Sequence, residues 1–177
     1  MCVIIIKTAG HKLPKKSELK AAYKRNPDGC GFVSESMSYK SLDFEDFYQH
    51  IKDVPKDENC IIHFRWATQG SVSEDNCHPF YDQETNTWFA HNGCLPYHPK
   101  EDITDSEFAF RKKLVPSLKV NGLYSQAFAK EVHNIIGGSK FAFMQNGQLK
   151  CFGRFIEYGG CYYYNLHHLS TPIWCTL

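Results

Sequence analysis

The second residue of the chain, Cys2, could act as a nucleophile if the initiator Met1 is removed. A small residue after the initiator normally permits that removal, which would leave a cysteine with a free α-amine. The amine has a reference pKa of about 7.7–8.0 and the thiol about 8.5, so the amine can take the thiol proton near neutral pH. One residue would then supply nucleophile and base. Taken alone, a cysteine here is more often an ordinary member of a first strand.

A second group of chemically useful side chains lies in residues 63–70, which read His-Phe-Arg-Trp-Ala-Thr-Gln-Gly. The pattern predicts a buried strand that leads into Arg65, the aromatic Trp66, Thr68 and a glycine turn. A guanidinium has paired donors that match two carboxylate oxygens, so Arg65 could bind the α-carboxylate of an amino acid. An isolated arginine would more often form a surface salt bridge.

A third group lies in residues 89–93, Phe-Ala-His-Asn-Gly, where a predicted strand ends at Asn92 beside Gly93. The side-chain amide of Asn92 and the backbone N–H of Gly93 are two donors that could stabilise the oxyanion of a tetrahedral intermediate. An ordinary Asn-Gly turn that closes a hairpin is the alternative.

A fourth group, Thr-Asp-Ser-Glu at residues 104–107, opens a predicted helix. Thr104 and Glu107 fit a capping box, which leaves the carboxylate of Asp105 free. Asp105 could hold an ammonium group, or it could simply complement the helix dipole in the first turn.

These four groups occur together in one order, and with them the chain resembles the class II glutamine amidotransferases. The resemblance extends over nearly the whole chain. It implies one domain over residues 1–177 and an α+β fold, the four-layer αββα sandwich of the N-terminal-nucleophile hydrolase type with antiparallel sheets. The segments that carry it are Cys2 and residues 26–31, 63–70, 76–79, 91–93 and 104–107.

The resemblance also implies a reaction, in which Cys2 attacks the side-chain amide of L-glutamine and passes through a thioester to glutamate and ammonia. It implies no cofactor and no metal. By similarity, Asn92 and Gly93 form the oxyanion hole. Arg65 binds the α-carboxylate of glutamine and Asp105 binds its α-ammonium group. Trp66 and Thr68 line the substrate pocket.

Three positions depart from the family pattern. Val3 follows the cysteine where many members have glycine, and a β-branched residue there could narrow the pocket. Gln69 stands where several members have histidine, and Cys94 stands where an apolar residue is usual.

The elements that must position these groups come as runs of strands interrupted by pairs of helices, a pattern typical of α+β layers with antiparallel sheets. Strands are predicted at residues 2–7, 60–66, 87–91 and 161–165, with two short strands in 30–39 and a hairpin in 140–155. Helices are predicted at residues 17–25, from residue 43, from residue 104 towards 114, and from residue 124 to the glycine pair at 137–138. Residues 71–86 are predicted to form a loop.

Composition excludes several classes of function. The 177 residues are 42% hydrophobic, which is enough for one core, and a net charge of +1 predicts neither a nucleic-acid nor a membrane partner. The apolar segment 3–6 is too short for a signal peptide or a membrane span. We therefore expect a cytoplasmic protein whose eight cysteines are mostly free thiols packed as small hydrophobes.

Several alternatives stay open at this point. Cys77, His78, His91, Cys94 and His98 are types that bind zinc, although their spacing matches no standard finger. The same nucleophile could act on another γ-glutamyl amide or a small amide, or the chain could be a catalytically silent binding domain. Because no synthase domain is seen in the sequence, we expect ammonia either to pass to a separate synthase or ligase partner or to be released.

Overall fold

The structure is a computed structural model that describes residues 2–100 and 102–167. Its strands form two antiparallel sheets. The first sheet has the order β3-β2-β4-β1-β10-β9, so that β1, the first element of the chain, lies near its centre. Its strands, in chain order, are β1 (Val3–Lys7), β2 (Cys30–Ser34), β3 (Ser38–Ser41), β4 (Cys60–Phe64), β9 (Ile156–Tyr158) and β10 (Cys161–Tyr164).

The second sheet has four strands in the order β5-β6-β7-β8. The hairpin between β7 and β8 is closed by Asn146 and Gly147, whose φ angles are 52° and 73°. Two successive positive φ angles are what a two-residue type I′ turn requires, so the predicted hairpin is confirmed. The strands are β5 (Phe80–Asp82), β6 (Thr87–Asn92), β7 (Lys140–Gln145) and β8 (Gln148–Phe152).

Two helices cover the outer face of the first sheet. They are α1 (Lys16–Arg25) and α2 (Phe44–Ile51). The side chain of Asp43 caps α2 by accepting a hydrogen bond from the N–H of Asp46. Leu19 and Ala22 of α1 pack in one core with the sheet and with three apolar side chains of α2, Phe44, Phe47 and Ile51.

The remaining helices cover the outer face of the second sheet. They are α3 (Asp105–Ala109), a π-helical segment (Phe110–Leu114), α4 (Val115–Asn121) and α5 (Gln126–Ile136). Phe110, Leu114 and Phe128 pack there against Phe89 and Phe141 of the sheet. In the part of the chain that the structure describes, every helix is too short or too polar to cross a lipid bilayer.

Three separate apolar cores define the layers. One core lies between α1, α2 and the first sheet, and another between the second sheet and the other helices. The third joins the inner faces of the two sheets and includes Ile4 and Ile6 from β1 with Ala90 and Ala142. Helices, sheet, sheet and helices therefore form the four-layer αββα sandwich with antiparallel sheets, as predicted.

The structure corrects some of the predicted elements. The segment predicted as a loop contains β5, and β9 was not predicted at all. Thr104 caps α3 through a hydrogen bond from the N–H of Glu107, but the capping box is incomplete because the Glu107 carboxylate binds Arg111 instead. The helix predicted to run towards Leu114 continues beyond it through α4.

Lys7, at the end of β1, is fully buried although its side chain carries an ionisable amine. Its Nζ donates to the carbonyl oxygens of Pro55 and Lys56 at 2.7 Å and of Glu58 at 2.5 Å. Burial lowers the pKa of Lys7. The ammonium group therefore closes the loop that leads into β4.

Replacement of this lysine tests its structural role. Lys7→Met keeps most of the side-chain volume but leaves three carbonyls without their donor, so we expect a loss of about 2 kcal/mol or more in the free energy of unfolding. Urea denaturation measures the loss. The exposed Lys12→Met is the matched control, and equal stability of the two variants would contradict the prediction.

Candidate active site

Cys2 lies at the start of β1, beside the segment that follows β4. Val3 pairs with Phe64 in the antiparallel register, which places the thiol beside Trp66. The N–H of Trp66 donates to Cys2 Sγ at 3.3 Å, and Sγ lies 3.5 Å from the Trp66 carbonyl oxygen. Burial raises the pKa of the Cys2 thiol, against the opposing effects of the Trp66 N–H and the Arg65 charge. A thiol in this environment needs a base to become a nucleophile.

Asn92, the last residue of β6, brings the second sheet to Cys2. Its Nδ2 donates to the carbonyl oxygen of Cys2. Its Oδ1 is buried and has no hydrogen-bond partner among the described residues. Nearby, Nε2 of His63 lies 3.1 Å from the carbonyl oxygen of His91, a second polar link between the sheets. The ends of β1 and β6 therefore meet at the backbone of Cys2.

Gly93 follows Asn92 and begins the loop after β6. Its φ angle of 139° lies in the region that favours glycine, and a Cβ at this position would collide with the side chain of Ser139. Only glycine fits here without displacing its neighbour. The close packing against Ser139 thus fixes the backbone of Gly93, directly after Asn92 in the chain.

Arg65 is buried, and its guanidinium faces the loop that follows it. It donates to the carbonyl oxygens of Ser71 at 2.7 Å, Gln69 at 3.0 Å and Gly70 at 3.4 Å. Ser71 is in turn held by both carboxylate oxygens of Asp102, at 2.7 and 2.5 Å. Arg65 therefore holds the loop of residues 69–71 in place. A guanidinium has five N–H donors, so some of them remain for a further acceptor.

Trp66 and Thr68 occupy different positions in this loop. The Trp66 side chain is 48% exposed and lines a cleft of about 410 Å³ that opens beside Cys2. Val3 and Asn26 also line this cleft, whereas Thr68 does not. Of the two residues predicted to line a pocket, the structure places only Trp66 on the cleft beside the thiol.

Asp105 is buried at the start of α3 and is engaged by backbone groups. Its Oδ2 accepts from the N–H of Leu95 at 2.7 Å, and its Oδ1 accepts from the N–H of Ser106 at 2.7 Å. The hydroxyl of Ser106 lies 2.6 Å from Nδ1 of His91. Asp105 thus ties the loop after Gly93 to the first turn of α3, and among the described residues it has no hydrogen bond with Cys2.

Asp28 was not singled out from the sequence, yet it positions the segment that contacts the thiol. Its Oδ2 accepts from the N–H of Ala67 at 2.7 Å, and its own N–H donates to the Arg65 carbonyl at 3.1 Å. A Cβ on Gly29 would collide with the sulfur of Cys77. Residues 26–31 are among the segments that carry the family resemblance, but nothing in their local pattern indicates which backbone Asp28 binds.

Three histidines are buried side by side between the sheets. The rings of His63 and His78 lie 4.3 Å apart, and those of His78 and His91 lie 6.4 Å apart. Burial lowers the pKa of His63 to about 3 and of His91 to about 4, and it lowers the pKa of His78 well below its usual value. All three rings are therefore neutral at physiological pH.

The described cysteines are free thiols, and most of them are buried. Cys30, Cys60, Cys77 and Cys161 are buried free thiols, and Cys94 is exposed. Cys175 lies outside the described residues. Within residues 2–100 and 102–167, no group of three or more His, Cys, Asp or Glu side chains is arranged to hold a metal ion.

The fold, with a cysteine at the start of a central strand, defines a protein of the N-terminal-nucleophile hydrolase type. The sequence profile of the class II glutamine amidotransferases matches residues 47–152, more than half of the chain. The chain therefore belongs to the class II glutamine amidotransferase family, as the sequence motifs predicted.

Curated relatives of the chain are much longer enzymes. One is the isomerizing glutamine–fructose-6-phosphate aminotransferase of Methanococcus maripaludis, 31% identical over 105 residues that cover 54% of this chain and 17% of that protein. The enzyme of the same name from Streptococcus pyogenes serotype M1 is 34% identical over 99 residues, covering 49% and 16%. The matched region thus spans about a sixth of the length of these relatives.

Solved structures match more of the chain at lower identity. Glutamine phosphoribosylpyrophosphate amidotransferase from B. subtilis, complexed with ADP and GMP, aligns with a TM-score of 0.63 and 18% identity over 92% of this chain and 41% of that one. A structure described as the allosteric regulatory enzyme of purine biosynthesis aligns with a TM-score of 0.60 and 16% identity, with the same coverage. These matches show the shared fold.

The neutral histidines predict a loss of stability in mild acid. An unfolded histidine binds a proton near pH 6.5, whereas the folded rings of His63 and His91 do so only near pH 3 and 4. Below about pH 6.5 the unfolded state binds more protons, so each buried histidine lowers the free energy of unfolding by up to about 1.4 kcal/mol per pH unit. The loss is complete only once the pH reaches the folded pKa values.

Urea denaturation between pH 7.5 and 5.5 measures this slope above the range in which most carboxylates titrate. His78→Phe should make it shallower by about one third, because one of the three histidines is gone. His98→Phe, the same change at an exposed position, is the control. A slope that is the same in His78→Phe and in the unmodified protein would contradict the prediction.

Proposed function

We propose that this chain hydrolyses the side-chain amide of L-glutamine through a thioester on Cys2, to give glutamate and ammonia, once Met1 has been removed. The observation that carries the proposal is the convergence of two polar groups on Cys2. Cys2 Sγ is bound by the N–H of Trp66, and the Cys2 carbonyl oxygen is bound by the side-chain amide of Asn92. Membership of the class II glutamine amidotransferases supports the same reaction.

The state of the thiol explains why the nucleophile would be the first residue of the processed chain. Burial raises the pKa of Cys2, so few molecules would carry a thiolate at neutral pH without help. A free α-amine on the same residue can accept the thiol proton as Sγ attacks the amide carbon. Retention of Met1 would turn that amine into a peptide nitrogen, which is not a base.

Asn92 and Gly93 are the proposed oxyanion hole. The Nδ2 group of Asn92 has two N–H donors, of which one is used by the Cys2 carbonyl. The second, together with the backbone N–H of Gly93, would bind the oxygen that becomes negative when Sγ adds to the amide carbon. The proton taken from the thiol then passes to the leaving nitrogen, and ammonia departs. Water hydrolyses the thioester through a second oxyanion of the same kind.

Arg65 and Asp105 are proposed to bind the α-carboxylate and the α-ammonium of glutamine, with Trp66 and Thr68 beside the substrate. Both charged groups are already anchored by backbone partners, Arg65 by three carbonyls and Asp105 by two N–H groups. Such anchoring fixes the charges before a substrate arrives, which lowers the cost of ordering on binding. Neither group would lose its backbone partners by accepting one more contact.

The fate of the ammonia is a separate question. The curated relatives are named as aminotransferases that use glutamine and fructose 6-phosphate, and the matched region covers only a small part of each. We propose that this domain passes ammonia to an acceptor synthase or ligase, either as a separate partner or as another part of a longer protein. Copurification of such an acceptor would separate this proposal from simple release of ammonia.

A second candidate function is hydrolysis of another γ-glutamyl amide or small amide. The cleft beside Cys2 favours it, because a volume of about 410 Å³ is more than the departure of ammonia requires.

A catalytically silent binding domain is the third candidate. The presence of Cys2, Arg65, Asn92, Gly93 and Asp105 together argues against that loss of function.

Affinity labelling tests the nucleophile and the substrate class together. Incubation with 6-diazo-5-oxo-norleucine, an electrophilic glutamine analogue, should give one adduct on Cys2 in molecules that lack Met1. Excess glutamine should prevent it. Intact mass and the N-terminal peptide are read by mass spectrometry, with Cys2→Ala as the negative control and Cys94→Ala as the matched control that should still be labelled. Labelling that survives in Cys2→Ala would overturn the proposed function.

Substitution of the proposed oxyanion donor tests the mechanism. Asn92→Ala should lower kcat for glutamine by about a hundredfold, with a much smaller change in KM, because the donor acts on charge that appears in the transition state. Asn121→Ala, on α4, is the matched control. Steady-state ammonia release measures both. A kcat within a factor of two of the unmodified enzyme would remove Asn92 from the mechanism.

A further inference from the structure

The cleft beside Cys2 has a wall that the proposed glutamine site does not use. It is contiguous with the nucleophile, because Val3 follows Cys2 and the Trp66 backbone contacts Sγ. Arg65, Thr68 and Asp105 do not line it. The guanidinium of Arg65 instead faces residues 69–71. Two of the residues that line the cleft, Val3 and Trp66, therefore adjoin the nucleophile, whereas the groups proposed to hold the glutamyl part of the substrate do not line it.

This wall carries two uncompensated positive charges, Lys24 and Arg25, in the last turn of α1. Within the described residues, neither has a carboxylate within 4.0 Å. By contrast, Lys16 and Lys20 of the same helix both bind Glu45 at 2.6 Å. Among residues 2–100 and 102–167, no aspartate or glutamate lines the cleft. The cleft is thus electropositive beside the nucleophile.

The end of α1 does not by itself require these charges. Cations stabilise the C-terminus of a helix by interacting with its unpaired carbonyls. Here Asn26 already satisfies two of them, because its Nδ2 donates to the Ala22 carbonyl and its N–H to the Tyr23 carbonyl, both at 2.9 Å. The positive side chains of Lys24 and Arg25 therefore remain available to a ligand.

Glutamine has one carboxylate, and the proposed function already assigns it to Arg65. We propose that the site accepts γ-glutamyl amides besides glutamine, that among these it prefers amides whose leaving amine carries a carboxylate, as in a γ-glutamyl dipeptide, and that Lys24 and Arg25 bind this second carboxylate. This inference rests on the proposed function, since it uses the same nucleophile and the same glutamyl site. It assigns the cleft to the nitrogen side of the scissile bond.

The reaction differs from glutamine hydrolysis only in the leaving group. Cys2 Sγ bonds to the γ-carbonyl carbon, the carbon–nitrogen bond breaks, and the thiol proton reaches the departing nitrogen through the α-amine. One water then cleaves the thioester. The products are glutamate and an amino acid in place of glutamate and ammonia, and no oxidant, metal or further co-reactant is needed.

A comparison of three amides tests this assignment. Glutamate release is measured for L-glutamine, for γ-L-glutamylglycine, and for γ-L-glutamylethylamide, whose leaving group has similar size but no charge. We expect kcat/KM for γ-L-glutamylglycine to exceed that for γ-L-glutamylethylamide by about tenfold at low salt, since one charge-assisted contact has roughly that effect. The ratio should fall as salt screens the exposed cations.

Variants identify the residues responsible. In the double variant Lys24→Gln with Arg25→Gln, the ratio between the two substituted amides should fall towards one. Lys20→Gln, on the same helix but outside the cleft, should keep it. Thermal unfolding of all three proteins separates an effect on substrate choice from an effect on the helix. A ratio near one in the unmodified enzyme, or a tenfold ratio that persists in the double variant, would overturn the inference.

The labelling of Cys2 by 6-diazo-5-oxo-norleucine separates this failure from failure of the proposed function. An adduct on Cys2 together with equal turnover of the two substituted amides overturns only the assignment of the cleft. Absence of both the adduct and any amide turnover, in protein that lacks Met1, overturns the proposed function and this inference with it.

Discussion

The antiparallel register between β1 and β4 is the constraint on which the candidate site depends. It sets Val3 opposite Phe64, and so brings the thiol of Cys2 to the N–H of Trp66. A shift by one residue would exchange the two faces of β1. Because Val3 and Ile5 pack under the helices while Ile4 and Ile6 pack against the other sheet, two hydrophobic cores together fix this register. The chemistry at the chain's start is therefore secured by burial along the whole strand.

The second sheet completes the site at a cost in the stability of the fold. Asn92 reaches Cys2 from β6, and the link between His63 and the His91 carbonyl holds the two sheets together close by. Both ring nitrogens of His78, which packs against His63, have no partner among the described residues. An unpaired buried polar group costs stability that an apolar ring of the same size would not. Unpaired buried polar atoms thus lie next to the residues proposed to act in catalysis. Functional sites are where such departures from full hydrogen bonding are expected.

Most of the fold follows from local signals, whereas the partners of the charged groups do not. The long strands, the capped helix α2 and the Asn146-Gly147 hairpin each carry a periodicity, cap or turn that can be read from a few neighbouring residues. The short edge strands β5 and β9 were missed because three residues carry too little pattern and their pairing is decided by the adjacent strand. Likewise, the sequence indicated chemistry at Arg65 and Asp105 but not that backbone carbonyls and N–H groups would enclose them. Such contacts depend on how a loop returns, which residue spacing does not encode.

The two sides of Cys2 differ in how their charges are held. On one side Arg65 is fixed by the carbonyls of a loop, and that loop is closed by Asp102. On the other side Lys24 and Arg25 stand on α1, whose ion pairs to Glu45 are exposed and so contribute little to stability. The position of α1 must therefore come mainly from burial of Leu19 and Ala22 against the first sheet, which also contains β1. Because the cationic wall and the nucleophile are packed on the same sheet, their separation is set by a rigid core, and a rigid core is what discrimination between leaving groups of different charge requires.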